Sequence, residues 1–361
     1  MTASRYPLEI RSALNVLAMN LKQLSEQLGL SQTTVSRALN GYPEVNAETR
    51  RRVLDAARLH NYRPNTRAKG LATGRAMAIG HVIPISAKFE IVNPIFADFI
   101  AGAGESYSRA GYDMLISVVS GADEERVYRE MKSKGNVDGV IVHSPRLNDP
   151  RIHQLAAIGL PFLVHGRSSG CPLAYSWLDV NNRRAFERAT RFLLDLGHRR
   201  IGFLNGPEDM DFAIRRRAGF EAALREAHLT PDPALMRSEE MTESYGHRAA
   251  AELLASATPP TAFLVSSMLI AIGVRRAIEE CGRQMGRDIS IVTHDDDLSY
   301  LRNGDDIPVF TAVRSSVREA GRLAAEMLLR RIADPTLPHL DRLLEAQLTI
   351  GQSTGPAPSR S

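Results

Sequence analysis

LKQLSEQLGLSQTTVSRALNGYPEVNAETRRRVLDAARLHNYRPN, Leu21–Asn65, is the stretch from which the rest of this 361-residue chain is read. Leu21, Leu24 and Leu28 recur at helical spacing, and Gly29 ends the run, since glycine tolerates the left-handed turn at a helix C-terminus. Ser31 is a good N-cap for a second helix, Gln32 to Leu39, which stops at Asn40-Gly41. Asn46 caps a third, with Thr49 at its N3 position and Val53, Leu54, Ala57 and Leu59 as its apolar side. Pro64 disfavours helical geometry at Arg63 and closes the segment. Two short helices joined by a glycine-containing turn form a helix-turn-helix, whose second helix enters the major groove. Val35, Ala38 and Leu39 face the first helix. Gln32, Thr33 and Arg37 are the candidate base readers, because glutamine pairs bidentately with adenine and arginine with guanine. The competing reading is a small helical bundle that binds protein.

Charge favours the nucleic-acid reading. Residues 1–75 hold twelve Lys/Arg against five Asp/Glu, a net of +7, while the whole chain carries only +4. A basic head on a mildly acidic body suits a polyanionic partner. The first 19 residues show no clean period and read as a loose, disordered extension, and Met19 is an alternative start. They lack the apolar core and cleavage site of a secretory signal. No apolar run approaches the roughly 20 residues of a membrane span. Cys171 and Cys281 are far apart and form no CxxC pair, which suits a reducing cytoplasm.

After Gly74 the texture changes. Strand-like runs at Met77–Pro84, Met114–Val119, Gly139–His143, Phe162–His165, Ile201–Asn205, Ala262–Ser266 and Ile289–Thr293 alternate with helical stretches. The helices are Ile95–Ala110, Asp123–Lys134, Arg183–Leu196, Arg215–Ala227, Tyr245–Leu254, Ile270–Glu280 and a late Val317–Ile332. Repeated strand–helix units build parallel sheets covered on both faces. The number of units over this length predicts an α/β body of two doubly wound subdomains. Gln352 to Ser361 is rich in Pro, Ser and Gly and reads as a disordered tail without heptad leucines.

Three runs, TTVSRALNG, VNAETRRRVLDAA and NYRPNTRAKGLATGR, resemble the headpiece and hinge of the LacI/GalR family of transcriptional regulators. The resemblance implies a helix-turn-helix domain over 20–64, a hinge over 65–75 and an effector-binding and dimerisation domain over 76–351. It implies that Gln32, Thr33 and Arg37 read bases of double-stranded operator DNA, and that Asn40, Asn46, Thr49, Arg50, Tyr62 and Asn65 hold phosphates. Residues 65–72, NTRAKGLA, are too short to be helical alone. In the family two such segments pair in the minor groove of a dimer's site, with a leucine wedge at the position of Leu71. Otherwise Leu71 simply begins the next domain's core. Gly70 weakens the helix there.

The body resembles the family's effector domain, which has the periplasmic-binding-protein fold: two Rossmann-like halves with three crossovers, expected near Asp179, Phe310 and Leu340. The runs carrying this resemblance are IGHVIP, LLDLGHRRIGFLNGP, RRRAGFEAAL and MGRDISIVTHDDD. A ligand sits in the cleft between the halves, at the carboxyl ends of strands. By the same resemblance the candidate effector residues are Asn93, Phe96, His165, Arg167, Phe212, Arg216, Met241, Ser267, Met268 and Asp295. The family often carries Asp at Gly166 and Asn-Asp at Ser267-Met268, so the ligand's hydroxyl pattern is left open. His294-Asp295-Asp296-Asp297 follows a strand consecutively, so alternate side chains diverge. That favours a loop network beside the cleft over a metal or catalytic site. No cofactor is implied, and no G-x-S-x-G, HExxH or P-loop is present.

The stretches VSSMLIAIGVRRAIEE, THDDDLSYLRNG and YSWLDVNN look like the α-glucoside-utilisation subgroup, which implies a sugar-class effector. The expectation is a cytoplasmic, homodimeric repressor of a carbohydrate operon, not an enzyme, released from DNA by its effector. The alternatives are a regulator that a corepressor activates and a solute-binding transport protein.

Overall fold

The computed structural model describes residues 19–39, 41–60, 62, 74–84, 94–119 and 123–358. The chain divides into two compact units, residues 1–76 and 77–361.

Among its described residues the first unit contains three helices: α1 (Leu21–Leu28), α2 (Gln32–Leu39) and α3 (Ala47–Leu59). Each start is fixed by a side chain that satisfies an orphan amide. Asn20 forms a reciprocal capping box with Gln23, Ser31 Oγ accepts from Thr34 N at 3.0 Å, and Asn46 Oδ1 accepts from Thr49 N at 2.7 Å. Gly29 closes α1 at φ 64°. Leu24, Val35, Ala38, Val45, Val53 and Ala57 form the core. Leu59, assigned above to the apolar side of α3, is 79% exposed. It sits in the last residue of the helix, past the last turn that packs on the core.

Among its described residues the second unit holds two six-stranded sheets, one per lobe. The first lobe is ordered β2 (Asp113–Val119), β1 (Ala78–Pro84), β3 (Gly139–His143), β4 (Phe162–His165), β5 (Ser176–Val180) and β11 (Asp341–Leu344), all parallel. The second is β7 (Met236–Ser238), β6 (Ile201–Asn205), β8 (Ala262–Val265), β9 (Ser290–Asp295), β10 (Thr311–Arg314) and β12 (Gln347–Thr349), with β12 antiparallel. Successive strand residues serve opposite cores, as strand geometry requires. Leu204, Phe263 and Ile291 pack under one helical layer, while Phe203, Leu264 and Val292 pack under the other. This two-sided burial is why the strands read as continuous apolar runs.

Helices α4 (Pro94–Ala110), α5 (Glu124–Lys134), α6 (Pro150–Ile158) and α11 (Val317–Ala333) cover the first sheet; α7 (Asn182–Asp195), α8 (Asp211–Glu226), α9 (Glu243–Leu254) and α10 (Met268–Glu280) cover the second. The backbones of α4 and α11 touch through glycine. A Cβ on Gly102 would lie 1.9 Å from Arg318 O, and one on Gly321 would lie 2.1 Å from Phe99 O. That contact docks the late helix α11 on the first lobe although β10, just before it, belongs to the second. The chain therefore crosses between lobes after Val180, after Arg314 and between Leu344 and Gln347.

Two further expectations change. The tail expected to be disordered is packed as far as it is described. Ser353 is fully buried; its Oγ donates to Ile291 O at 2.6 Å and accepts from Thr311 N at 2.8 Å. Gly355 N donates to Ser290 Oγ, and Ala357 N to Leu196 O. Composition misjudged it because backbone and hydroxyl hydrogen bonds, not apolar burial, hold it. Helix α8 begins at Asp211, four residues before the expected Arg215, which brings Asp211 and Phe212 onto its first turn. Among the described residues no helix is long and apolar enough to cross a membrane.

Candidate functional site

The first unit presents α2 as a polar, outward surface. Gln32, Thr33 and Arg37 are exposed, and their side chains make no hydrogen bond or ion pair to another described residue. Val35 and Ala38 hold the opposite face in the core. Three unspent polar side chains on one short helix can donate to and accept from base edges. The residues expected at phosphates divide. Asn46 spends its Oδ1 on the cap of α3, and Thr49 is half-buried in that first turn. Arg50 Nη2 donates to Tyr42 O at 2.5 Å and Val45 O at 3.4 Å, so it braces the turn after α2. Tyr62 packs against the core, and burial raises its phenol above the usual value. Asn40, Asn65 and Leu71 lie outside the described residues, as does Asn93 in the second unit.

The second unit has a chamber between its lobes, of about 150 Å³, at the carboxyl ends of the strands. The first lobe contributes His165, Gly166 and Arg167 from the end of β4 and Asp179 from β5. The second contributes Asn182, Phe212, Arg216, Met241, Ser266, His294 and Asp296. Gly166 sits at φ 109°, and a Cβ there would lie 2.8 Å from the Pro145 ring, so an aspartate at this position would displace that proline.

Arg216 is at the centre. Only 6% exposed, it donates from Nε to Asn182 Oδ1 at 2.8 Å and from Nη1 to Ser266 O at 2.7 Å. Its guanidinium carbon lies 5.1 Å from the Phe186 ring centre and 4.9 Å from that of Phe212, a placement that fixes a planar cation between quadrupoles. Nη2 has no hydrogen-bond partner among the described residues. Burial lowers the group to about 10, with Asp296 and Asp179 opposing, so it stays charged at neutral pH. Asp296 is the complementary acceptor. Burial works to raise its carboxyl, but His294, Arg216 and His165 together hold it below the usual range. Its Oδ1 lies 3.2 Å from His294 Nε2, while Oδ2 has no partner among the described residues. Asp179 is raised by burial against the pull of Arg167, whose Nε donates to it at 2.8 Å. His165 is held down to about 4, mainly by burial, and is neutral. The chamber thus holds two arginines and two carboxylates, Arg167 paired with Asp179 on the first lobe and Arg216 with Asp296 on the second.

Of the residues expected to bind an effector, the structure brings His165, Arg167, Phe212, Arg216 and Met241 together in this chamber. Phe96 lines a neighbouring apolar compartment with Val82, Ile83, Phe99 and His143, which shares Ile95, Ser144 and His165 with the chamber. Ser267 caps α10 through Ile270 N, and Met268 is in the core. Asp295 accepts from Asp297 N and faces a separate polar cavity beside Arg314. Sequence reasoning passed over Asp179, Asn182, Ser266 and Asp296 as ligand residues. Their common signal was position: each ends a strand or opens the following helix on the cleft side. Among the described residues no group of three His, Cys, Asp or Glu side chains is arranged for a metal ion.

Two family models match the chain: bacterial regulatory proteins of the lacI family over residues 20–65, and the periplasmic binding protein-like domain over residues 190–354. The HTH-type transcriptional regulator AglR of Rhizobium meliloti (strain 1021) is 46% identical over 345 residues, 96% of this chain and 97% of that protein. The chain belongs to the lacI family of bacterial regulatory proteins. It is a DNA-binding transcriptional regulator, which decides against the transport-protein alternative. Among solved structures, the lac repressor dimer bound to operator and the anti-inducer ONPF matches with a TM-score of 0.78 and 25% identity, over 93% of this chain and 99% of that one. The transcriptional regulator CelR–cellobiose complex matches with a TM-score of 0.69 and 28% identity, over the same shares.

Proposed function

We propose that this regulator represses carbohydrate-utilisation genes and that an uncharged sugar in the interlobe chamber releases it from DNA. The observation that carries the sugar reading is the unspent pair inside the chamber, Arg216 Nη2 and Asp296 Oδ2. A donor fork beside a carboxylate suits adjacent hydroxyls, which donate to the carboxylate and accept from the arginine. The charges of Arg167 and Arg216 are matched by Asp179 and Asp296, so a ligand bearing its own charge would leave one of these buried groups uncompensated. That favours a neutral polyol over a sugar phosphate or nucleotide. Phe212 supplies a ring face for the apolar side of a pyranose. The cellobiose bound by CelR supports the same ligand class.

The reading places Gln32, Thr33 and Arg37 against bases, with Asn40, Asn46, Thr49, Arg50, Tyr62 and Asn65 at the backbone and Leu71 as the minor-groove wedge. A single helix-turn-helix per chain calls for a two-fold dimer on a two-fold site. Ile116 and Val118, 46% and 44% exposed on the edge strand β2, offer an apolar strip for that pairing. The lac repressor structure, a dimer on operator, supports this assembly.

The test is a DNA site selected from a random library, followed by titration of the complex with glucose, maltose, trehalose, sucrose, cellobiose and glucose 6-phosphate. A neutral sugar is expected to release the DNA and the phosphate to have no effect. Arg216→Met is expected to bind the site normally and ignore the sugar. Release by the phosphate ester alone, or sugar that tightens DNA binding, overturns the reading.

A further inference from the structure

The two lobes are joined on one rim of the chamber by a group that the effector reading does not use. Asp211, the first residue of α8, is 1% exposed. Its Oδ2 accepts from the backbone N–H of Ser169, in the other lobe, at 2.5 Å. Its Oδ1 accepts from Arg215 on the next turn of α8, and Arg215 Nη2 also reaches across to Ser169 Oγ at 2.8 Å. The main chain follows the same path. Asp211 N donates to Pro145 O at 3.0 Å, Arg146 and Met210 form an antiparallel bridge, and Arg146 pairs with Asp209 at 3.5 Å. The receiving segment is held within its own lobe: Asn148 N donates to Ser169 O, and Ser168 bonds Arg146 O, Asp149 N and the Tyr175 hydroxyl.

We propose that Asp211 is a positioning residue, a clasp that holds the lobes closed and so sets the geometry in which α8 meets the effector. The placement carries this. Arg215 and Arg216 are neighbours on one helix and point apart, one into the clasp and one into the chamber. Phe212, beside Asp211, also faces the chamber. Opening the clasp moves the anchor point of α8 away from Arg167 and Asp179 on the other lobe, and the chamber loses its two-sided lining. The carboxylate suits this role because a charged acceptor strengthens each hydrogen bond, and removing its charge leaves Arg215 without its partner. A ligand that needs both lobes binds in proportion to the closed fraction. The clasp, whose Asp211 borders the chamber, therefore sets apparent affinity through the lobe geometry. The inference rests on the two-lobed chamber and not on the ligand's being a sugar.

The test measures lobe separation directly in the full-length protein, with Cys171→Ser and Cys281→Ser as background. Spin labels are placed on the exposed positions Arg126→Cys in one lobe and Glu252→Cys in the other. Asp211→Asn, with nothing added, is expected to shift the distance distribution toward a wider separation, the closed-to-open ratio falling at least about tenfold, or about 1.4 kcal/mol. Arg215→Gln, which keeps the bond from Ser169 N, is expected to shift it in the same direction by less. It carries the test alone should Asp211→Asn not fold. Maltose is expected to restore the narrow distribution in both variants, at an apparent affinity lowered in proportion to each variant's measured fall in closed fraction, and less in Arg215→Gln than in Asp211→Asn. An unchanged distribution in the folded variants overturns the clasp. Maltose without effect on any protein, the unsubstituted one included, overturns the ligand reading and leaves the clasp to the distances measured without it.

Discussion

Lowering the pH from about 7.5 to about 5.5 is expected to remove about 4 kcal/mol of stability from the two-lobed unit, through three histidines. His81 within β1 is fully buried, and His143 and His165, at the ends of β3 and β4, lie partly buried beside it in one column. His81 Nδ1 lies 3.0 Å from His143 Nε2, the Tyr107 hydroxyl lies 3.2 Å from His81 Nε2, and the Phe99 ring stacks on His165 with centres 4.2 Å apart. Burial lowers His81 to about 3 and His165 to about 4; it lowers His143 well below the ordinary 6.5, helped by His81, His165 and Arg151. The folded protein keeps all three neutral across this window, whereas the unfolded chain takes up a proton at each below 6.5. Acidification therefore favours the unfolded state. The stability is complete above 6.5 and falls with pH until the folded values are reached. Each site contributes about 1.4 kcal/mol between the two pH values, when the unfolded histidine goes from about a tenth to about nine-tenths protonated.

His198, lowered by burial, adds in the same direction. Asp179, raised by burial, opposes it closer to the carboxylate range, and Asp296 contributes stability that is lost only below that range. Urea unfolding followed through the single tryptophan, Trp177, at several pH values reads the slope. His143→Gln should lower stability and also reduce the pH dependence by about a third. A pH-independent midpoint over the window, or the same slope in the variant, refutes the neutral column.

Arg37→Ala is expected to weaken selected-site binding by about 1–3 kcal/mol per half-site, lowering the ratio of site to random-DNA affinity at one salt concentration while leaving sugar binding intact. Ile116→Asp together with Val118→Asp should shift the protein toward monomer in sedimentation at micromolar concentration and abolish tight DNA binding, with the lobes still folded by circular dichroism. Truncation after Gly351 strips partners from Ile291, Thr311 and His198. Each buried polar group left unsatisfied costs about 1–3 kcal/mol, so the thermal midpoint should drop by several degrees rather than stay fixed as it would for a loose tail.

The sequence by itself determined the parts that depend on local chemistry. Caps at Ser31 and Asn46, the stop at Gly29 and the alternation of Val35 and Ala38 with Gln32 and Arg37 define the headpiece within about forty residues, because helix starts, stops and faces are set by neighbours in the chain. The doubly buried strands were equally legible, since runs such as Gly139–His143 and Ile201–Asn205 are apolar on both sides. The short strands β5, β10, β11 and β12 were not legible, because three to five residues beside a crossover carry no period of their own and are defined by pairing with distant partners. The site divides in the same way. Arg216, His165 and Arg167 were accessible from the sequence. That Asp296 rather than Asp295 turns into the chamber follows from how β9 leaves the sheet, and that Ser267 caps a helix while Ser266 offers its carbonyl follows from where α10 begins. The clasp between Asp211 and Ser169 joins residues 42 positions apart on different lobes. Only the tertiary structure could decide it, because such a contact exists only once both sheets have formed and docked.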